Sequence, residues 1–298
     1  MIGIDLGSNT LRIVQLDCAT GQKRATFERI VRTAEGLVAT GTISNEAIKR
    51  IIQTLLDSRS VIDYNDRLRA VCTEAMRRAT NSAQVLESIN HATGILFEII
   101  DPHEEARLTA LAVRKALGDP DYPFVLVDIG GGSTEVIFSA GNTLLTESFP
   151  IGILTLTQSC PSPEERHQAL ISFTQRLTPF LTNITTTHQA PRYFVSTAGT
   201  PTTLAAMKLG MDHASYDPQR INGSVIDRHD ILVQKKRLLA LDPTERAKLV
   251  GVGREDLILT GIEIFETILQ ATGFDASIVI DDGLREGAAL SACMERQG

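Results

Sequence analysis

The feature that most constrains the fold of this chain is a sequence pattern that occurs twice. IGIDLGSNTLRIVQ begins at Ile2, and VLVDIGGGSTEVIF begins at Val125. In both, an apolar strand ends in Asp-x-Gly, small and hydroxyl residues follow, and a second apolar strand begins. The two aspartates, Asp5 and Asp128, are 128 − 5 = 123 residues apart, close to half of the 298 residues. Duplication of a whole folding unit explains this offset better than two unrelated glycine-containing hairpins.

Each copy continues with a mixture of strands and helices. Three short strands joined by tight turns form a predicted meander, and strands then alternate with helices of amphipathic spacing. The sequence therefore predicts an α/β protein with two duplicated domains that flank a cleft. We place the domains at residues 1–120 and 121–283, and we expect a C-terminal helix at residues 284–298 to pack back on the first domain.

The composition is that of a globular protein, with 43% hydrophobic and 22% charged residues. A net charge of −7 does not suit binding to nucleic acid or to a membrane surface, since both depend on summed positive charge. The sequence contains no uninterrupted apolar run of about 18 residues, and Asp5 interrupts the segment in which a signal peptide would need apolar residues. We therefore expect a cytoplasmic protein without membrane or nucleic-acid partners.

The four cysteines, Cys18, Cys72, Cys160 and Cys293, are scattered and form no CxxC pair. This pattern is typical of reduced, buried thiols in a cytosolic protein, and it argues against a disulfide or a zinc site. The six histidines are also dispersed, so no metal is assigned to them.

Both repeated segments have the composition of phosphate-binding loops that begin at a carboxylate. Glycine allows the backbone to approach an anion closely, and successive N–H groups in such a turn can bind phosphate oxygens. An aspartate at the strand end offers a hard oxygen ligand to Mg²⁺. A third segment, Ser196–Thr200, would place a glycine and hydroxyl groups at a helix N-terminus, although ordinary capping would be the preferred explanation without the other two loops. The candidate phosphate-binding residues are Gly7, Ser8, Asn9, Thr10, Gly130, Gly131, Gly132, Ser133, Thr134, Gly199 and Thr200.

Seven segments, distributed in order along nearly the whole chain, form a recognisable set. They are DLGSNT at Asp5, TEAMRRATN at Thr73, HEEARLTALAV at His103, DIGGGSTEV at Asp128, STAGTPTTLAA at Ser196, ERAKLVGVGREDLI at Glu245 and DDGLREG at Asp281. The set resembles the exopolyphosphatase / guanosine-pentaphosphate phosphohydrolase (Ppx/GppA phosphatase) family. The resemblance implies two ribonuclease H-like domains of the actin, Hsp70 and sugar-kinase superfamily, in the short two-domain form without a further helical domain after Gly287.

The resemblance also implies roles for individual residues. The catalytic base corresponds to the second glutamate of EEARL, Glu105, which would orient or deprotonate the water that attacks the terminal phosphorus. The metal ligands correspond to Asp128 and Glu135, with Asp5 across the cleft. Arg77 corresponds to a phosphate ligand, a role that suits its planar guanidinium.

Simpler explanations hold for two residues beside these. Glu104 is explained by the favourable interaction of an acidic side chain with the first turn of a helix, and Arg78 by a solvated position. Family members often carry a glycine shortly before EEARL, whereas this chain has Asp101-Pro102-His103. The turn that leads into Glu105 therefore differs from the turn that the family resemblance implies.

Together these features predict a Mg²⁺-dependent hydrolase that releases orthophosphate from inorganic polyphosphate, converts guanosine pentaphosphate to tetraphosphate, or does both. A small-molecule kinase of the same superfamily and a non-catalytic alarmone-binding sensor are the alternatives, and the base in EEARL disfavours both. We expect short polyphosphates to be preferred, because residues 125–298 hold −6 of the net charge and leave no extended basic track. The substrate is the expected partner, and a homodimer is compatible with the resemblance.

Overall fold

The structure, a computed structural model, describes residues 1–118 and 120–294. The chain divides into two compact units. The first comprises Met1–Ala112 together with the segment from Gly283 onward, and the second comprises Val113–Asp282. The two units divide after Ala112, whereas the boundary expected from the sequence follows residue 120. Residues 295–298 of the expected C-terminal helix lie outside the described residues.

The first unit contains a five-stranded mixed sheet. Its strands are β1 (Ile2–Leu6), β2 (Thr10–Leu16), β3 (Lys23–Ile30), β4 (Leu68–Cys72) and β5 (Phe97–Ile99). They are ordered β3-β2-β1-β4-β5. The first three strands pair antiparallel as the predicted meander, whereas β4 and β5 run parallel to β1. The carboxyl ends of β1 and β4 therefore meet at one edge of the sheet.

Six helices accompany this sheet. They are α1 (Leu37–Thr40), α2 (Asn45–Ser58), α3 (Glu74–Arg78), α4 (Ser82–Thr93), α5 (Pro102–Ala116), whose last residues belong to the second unit, and α13 (Leu284–Met294). Helix α13 lies directly on β1, because a Cβ added at Gly3 would come within 2.0 Å of the Arg285 carbonyl oxygen and 2.8 Å of the Ala289 nitrogen. A larger residue at Gly3 would push the helix off the sheet.

The second unit repeats the arrangement on a longer scale. Its strands are β6 (Phe124–Ile129), β7 (Thr134–Ala140), β8 (Thr143–Phe149), β9 (Tyr193–Thr197), β10 (Ser224–Asp227) and β11 (Ala276–Val279). They are ordered β10-β11-β9-β6-β7-β8, with β9 parallel to β6 and β11 parallel to β9. Its helices are α6 (Ile153–Ser159), α7 (Pro163–Thr187), α8 (Gly199–Lys208), α9 (Pro218–Ile221), α10 (Arg228–Ala240), α11 (Pro243–Val250) and α12 (Ile258–Thr272).

The predicted α/β class is confirmed, and each unit is built on a mixed sheet. The first sheet has the order β3-β2-β1-β4-β5, and the second, starting from its third strand, has the matching order β8-β7-β6-β9-β11. This is the strand order of a ribonuclease H-like unit, and β10 extends the second sheet by one strand. Strand β6 reads FVLVDI and is buried at nearly every position, as expected for a central strand covered on both faces. Within the described residues, no helix is long and apolar enough to cross a membrane.

The expectation of four reduced cysteines is wrong for Cys18 and Cys293, which form a disulfide with their Cα atoms 5.5 Å apart. The two residues are separated by 275 positions, so local spacing gives no sign of the pairing. They meet because α13 returns to the first sheet, where Cys293 joins an apolar cluster that includes Leu16. Cys72 and Cys160 are free thiols, as expected.

Candidate active site

In the first unit, the loop between β1 and β2 is fixed by its own carbonyl groups. The Gly7 N–H donates to the Thr10 carbonyl at 3.0 Å, which closes the turn. The carbonyl oxygens of Ser8 and Asn9 accept hydrogen bonds of 2.8–2.9 Å from backbone N–H groups in the segment 31–34. Because the Ser8 and Asn9 carbonyls are hydrogen-bonded within the protein, these two oxygens do not compete with an anion for the N–H groups of the loop.

The second unit builds its glycine loop in the same way. The Gly130 N–H donates to the Ser133 carbonyl at 2.9 Å, the counterpart of the Gly7–Thr10 bond. The carbonyls of Gly130 and Gly131 accept from backbone N–H groups at residues 153–155, the first turn of α6, at 2.8–3.1 Å. The helix N-terminus therefore binds the loop, and it holds the carbonyl side of the loop inward.

Contacts around Gly152 make this loop rigid. A Cβ at Gly152 would lie 2.6 Å from backbone atoms of Gly131 and Gly132, so only glycine fits. The hydroxyl of Thr134, which is fully buried, donates to the Ile151 carbonyl at 2.6 Å. The hydroxyl of Thr134, a predicted phosphate ligand, thus ties the loop to Ile151 within the protein.

The outward side of the loop is left with unused donors. Among the residues that the structure describes, no acceptor bonds the backbone N–H groups of Gly131, Gly132 and Ser133. Three consecutive N–H groups in a glycine-rich turn form a concave anion site of the kind that binds phosphate oxygens. Phosphate binding by this loop stays a prediction, which the unused N–H groups support.

Two carboxylates lie side by side at the start of the same loop. Asp128 on β6 and Glu135 on β7 are directly opposite in the antiparallel register. Glu135 is only 2% exposed, and its Oε1 accepts hydrogen bonds from the Ser133 hydroxyl at 2.7 Å and the Ser148 hydroxyl at 2.8 Å. Like charges in directly opposite positions destabilise a sheet, and a bound cation relieves that repulsion. Hard oxygen donors on two adjacent strands therefore fit a divalent cation such as Mg²⁺.

Glu105 lies in the first turn of α5, and the unusual turn before it caps that helix. The Asp101 side chain accepts a hydrogen bond from the Glu104 N–H at 2.8 Å, and Pro102 is the first helical residue. An aspartate cap followed by proline is a favourable way to begin a helix. The Asp101-Pro102 turn, which differs from the glycine-containing turn of the family resemblance, thus fixes where α5 begins and so the backbone position of Glu105.

Arg77 holds the Glu105 side chain directly. One guanidinium nitrogen donates to Glu105 Oε2 at 2.8 Å and also to the Ile100 carbonyl at 2.8 Å, while the other contacts Glu74 at 3.3 Å. Glu105 is 8% exposed. The predicted base and the predicted phosphate ligand, which the sequence indicates only as separate residues, therefore form one ion pair in the structure.

Cys72 lies at the end of β4, where the pKa of its thiol depends on the charges nearby. Burial raises the pKa of the Cys72 thiol to about 12, and the negative charges of Asp5 and Glu105 add to that increase. The thiol therefore stays protonated at neutral pH and is no candidate nucleophile. Asp5 and Glu105 act on the same side chain, which places both near the carboxyl ends of β1 and β4.

The third predicted loop carries a strained backbone at the start of α8. Ala198 has φ +69° and ψ −172°, a conformation that is nearly restricted to glycine. The next two residues, Gly199 and Thr200, begin the helix, and Thr200 is 1% exposed. Strain of this kind is found at ligand sites, so the loop stays a candidate for phosphate binding.

The structure thus gathers the predicted residues into two groups, one in each unit. The first unit holds Asp5, Gly7, Ser8, Asn9, Thr10, Arg77 and Glu105; the second holds Asp128, Gly130, Gly131, Gly132, Ser133, Thr134, Glu135, Gly199 and Thr200. Three further residues support these groups and were not predicted from the sequence: Glu74, Ser148 and Gly152. Only Ser148 had a usable signal, because the Gly141-Asn142 turn fixes a register in which residue 148 faces residue 135.

Comparison with known proteins adds an independent finding. The sequence model of the Ppx/GppA phosphatase family matches residues 22–295. Exopolyphosphatase 2 of Mycobacterium tuberculosis is 31% identical over an alignment of 312 positions, which covers 97% of this chain and 97% of that protein. The crystal structure of an Aquifex aeolicus Ppx/GppA family member is 31% identical, with a TM-score of 0.75 over 100% of this chain and 98% of its own. That of an exopolyphosphatase from Cytophaga hutchinsonii is 26% identical, with a TM-score of 0.83 over 98% and 97%.

Proposed function

The chain belongs to the Ppx/GppA phosphatase family, and from this premise we propose that it is a Mg²⁺-dependent hydrolase of terminal phosphoanhydride bonds. It releases orthophosphate from short inorganic polyphosphates, and guanosine pentaphosphate is the second substrate that we assign. The observation that carries the proposal is the ion pair between Arg77 and Glu105 at the capped start of α5. It joins a phosphate-binding cation to a carboxylate that can accept a proton.

In the proposed reaction, the oxygen of a water molecule attacks the terminal phosphorus. The bond between that phosphorus and the bridging oxygen breaks, and the shortened chain leaves with the bonding electron pair. Glu105 orients the water and accepts its proton, while Arg77 binds the terminal phosphate. Because phosphoryl transfer depends mainly on positioning and charge neutralisation, one well-placed carboxylate is sufficient as base.

The glycine loops bind the rest of the substrate in this proposal. The N–H groups of Gly131, Gly132 and Ser133 donate to non-bridging phosphate oxygens, and the first-unit loop, residues 7–10, contributes in the same way. A bound Mg²⁺ supplies charge neutralisation at the phosphates. We assign Asp128 and Glu135 to that cation on the basis of their adjacent carboxylates, and Asp5 on the basis of the family resemblance.

The preference for short chains follows from charge. A long polyanion needs an extended positive surface, since each bound phosphate has to displace counterions. The chain carries a net charge of −7. Three loops and one arginine bind a few consecutive phosphates, so release between cleavage events is expected.

The test is orthophosphate release from tripolyphosphate, long polyphosphate, guanosine pentaphosphate and ATP across a Mg²⁺ titration. We expect turnover of tripolyphosphate that requires Mg²⁺, and a loss of about 10²- to 10⁴-fold in kcat for Glu105→Gln. Glu104→Gln is the matched control, because Glu104 is a neighbouring carboxylate in the same helix that pairs with Arg69 and Arg107. Equal activity of the two variants would remove Glu105 from the mechanism, and absence of release from every substrate would overturn the proposed function.

A further inference from the structure

The two repeats differ at the residue that faces the strand-end aspartate. In the first unit Asp5 is opposite Arg12, and in the second unit Asp128 is opposite Glu135. These positions are equivalent, because 5 + 123 = 128 and 12 + 123 = 135. At this position the first copy therefore has an arginine, whereas the second copy has a carboxylate. An acid–acid pair suits a cation, whereas an acid–base pair is neutral by itself.

The side chains of Asp5 and Arg12 lie on the same face of the first sheet. Gly3 faces α13, and Asp5, two residues further along β1, faces the same side because strand side chains alternate. Directly opposite residues in an antiparallel pair have Cβ atoms about 5 Å apart. Arg12 is thus a cross-strand neighbour of Asp5.

Arg12 is itself held from its other side. Its Nε is 3.4 Å from the Glu28 carboxylate on β3, and Glu28 is directly opposite Arg12 in the register. Asp5, Arg12 and Glu28 therefore form a row across three strands, with the cation in the middle. In the second unit the equivalent row is Asp128, Glu135 and Ser148, in which a hydroxyl supports a carboxylate.

Helix α13 completes the arrangement over the row. Arg285 contacts Glu28 at 3.6 Å and Glu286 at 2.6 Å, and Glu286 in turn contacts Lys23 at 3.1 Å. Arg285 and Glu286 are 7% and 1% exposed. Charges buried to this extent persist only when they are paired. The first turn of α13 thus fixes Glu28, and Glu28 fixes Arg12.

We propose that Arg12 is a positioning residue, which holds the Asp5 carboxylate in the orientation that the reaction requires and is itself held by Glu28 and Arg285. The inference rests on the proposed function, because it assigns Asp5 a part in that reaction. It gives the Arg285 of the DDGLREG segment a role that is indirect: this arginine acts through Glu28 and Arg12, and it does not contact the substrate.

The test is a double-mutant cycle on Arg12 and Asp5. Arg12→Met and Asp5→Asn are compared alone and together, with kcat for tripolyphosphate and the Mg²⁺ dissociation constant from calorimetry as two separate readouts. We expect Arg12→Met to lower kcat or Mg²⁺ affinity by about 10- to 100-fold, the range for residues that orient a metal ligand. On the Asp5→Asn background, Arg12→Met should cost nothing more, because its effect passes through Asp5.

Arg29→Met is the matched control, because Arg29 lies on the same sheet and pairs with Asp57 at the surface. It should leave both readouts unchanged. Arg12→Lys keeps the charge without the planar fork and should restore part of the loss. If Arg12→Met unfolds the protein, Glu28→Gln replaces it in the cycle, with a smaller loss and the same dependence on Asp5.

The inference is overturned if Arg12→Met lowers kcat or Mg²⁺ affinity as much on the Asp5→Asn background as on the wild-type background. It is also overturned if Arg12→Met lowers neither quantity on the wild-type background. A wild-type protein that binds Mg²⁺ but releases no phosphate would overturn the proposed function alone. In that case the calorimetric cycle still decides the role of Arg12.

Discussion

Arg77 donates a 2.8 Å hydrogen bond to Glu105, and the same guanidinium is anchored by the Ile100 carbonyl and Glu74. The partners of Arg77 thus surround it on the protein side and fix its plane. If Arg77 binds a phosphate, as we propose, that phosphate would lie beside Glu105, the carboxylate to which we assign activation of the water. Substrate binding would then be coupled to the position of the proposed base.

Replacing Arg77 should show this coupling. Arg77→Lys keeps the positive charge but cannot contact Glu105, Ile100 and a phosphate through one planar group. We expect kcat/KM for tripolyphosphate to fall by about 10- to 100-fold, as for the loss of one charge-assisted hydrogen bond. The control is Arg78→Lys, since Arg78 is 41% exposed on the same short helix. Wild-type kcat/KM in Arg77→Lys would refute the coupling.

Gly152→Ala should damage the glycine loop without replacing any predicted substrate ligand. The new Cβ would lie 2.6 Å from backbone atoms of Gly131 and Gly132, so the loop or α6 has to move. Overpacking of this kind costs about 1–3 kcal/mol of the free energy of unfolding. We expect both a lower melting temperature and a large loss of phosphate release.

Gly210→Ala serves as the comparison for this variant. Gly210 has φ +77° with no atom near its Cβ position, so alanine there introduces backbone strain and no clash. It should lower stability by about 1 kcal/mol and leave turnover intact. Unchanged turnover in Gly152→Ala would show that the packing of the loop against α6 does not matter for activity.

The sequence was sufficient for the architecture because the duplicated segments carry strong local signals. Asp5 and Asp128 each lie one residue before the end of a strand, and the pattern and turn residues that follow specify a meander. Even the contact between Ser148 and Glu135 follows from the hairpin register, since 141 + 142 and 135 + 148 both equal 283. The type and length of the turn set the register of such pairs, so no tertiary contact is needed to predict them.

Contacts between distant segments were beyond the same reasoning. Arg77 and Glu105 are separated by 28 residues, and their bond depends on how α3 packs beside the start of α5. Cys18 and Cys293 are separated by 275, and they pair only because α13 docks on β1. Neither spacing has a characteristic pattern, because tertiary packing alone sets these distances.

The disulfide makes a direct prediction about thiol chemistry. Disulfides are rare in the reducing cytosol, so the expectation of a cytoplasmic protein and the observed Cys18–Cys293 bond predict different thiol counts. The structure predicts two alkylated cysteines, Cys72 and Cys160, when the unreduced protein is denatured in urea and treated with iodoacetamide, and four after reduction. Intact-mass measurement distinguishes the two. Four labelled cysteines without reductant would contradict the disulfide.

Glu286 should contribute to stability in a defined pH range. Burial acts to raise its pKa, but the positive charges of Arg285 and Lys23 outweigh burial and lower the pKa from 4.5 to about 2. A carboxyl group whose pKa is lower in the folded state stabilises the fold above its unfolded pKa. That stabilisation is lost as pH falls from about 4.5 towards 2. A difference of 4.5 − 2 = 2.5 corresponds to about 3 kcal/mol.

Glu286→Gln should therefore unfold at lower urea concentration at pH 7, and it should lose less stability than the wild type on acidification below pH 4.5. Asp275→Asn is the control, because Asp275 is 97% exposed. Parallel stability curves for Glu286→Gln and the wild type between pH 7 and the acid limit would show that Glu286 makes no such contribution.

The most direct test of the proposed reaction is hydrolysis of tripolyphosphate in H₂¹⁸O with Mg²⁺, followed by mass analysis of both products. Attack of water on the terminal phosphorus puts one ¹⁸O atom into each released orthophosphate and none into the pyrophosphate. We predict this distribution for the wild type and for Glu104→Gln, and near-absence of labelled orthophosphate for Glu105→Gln. Label in the pyrophosphate, or labelled orthophosphate formed by Glu105→Gln at the wild-type rate, would contradict terminal hydrolysis by Glu105.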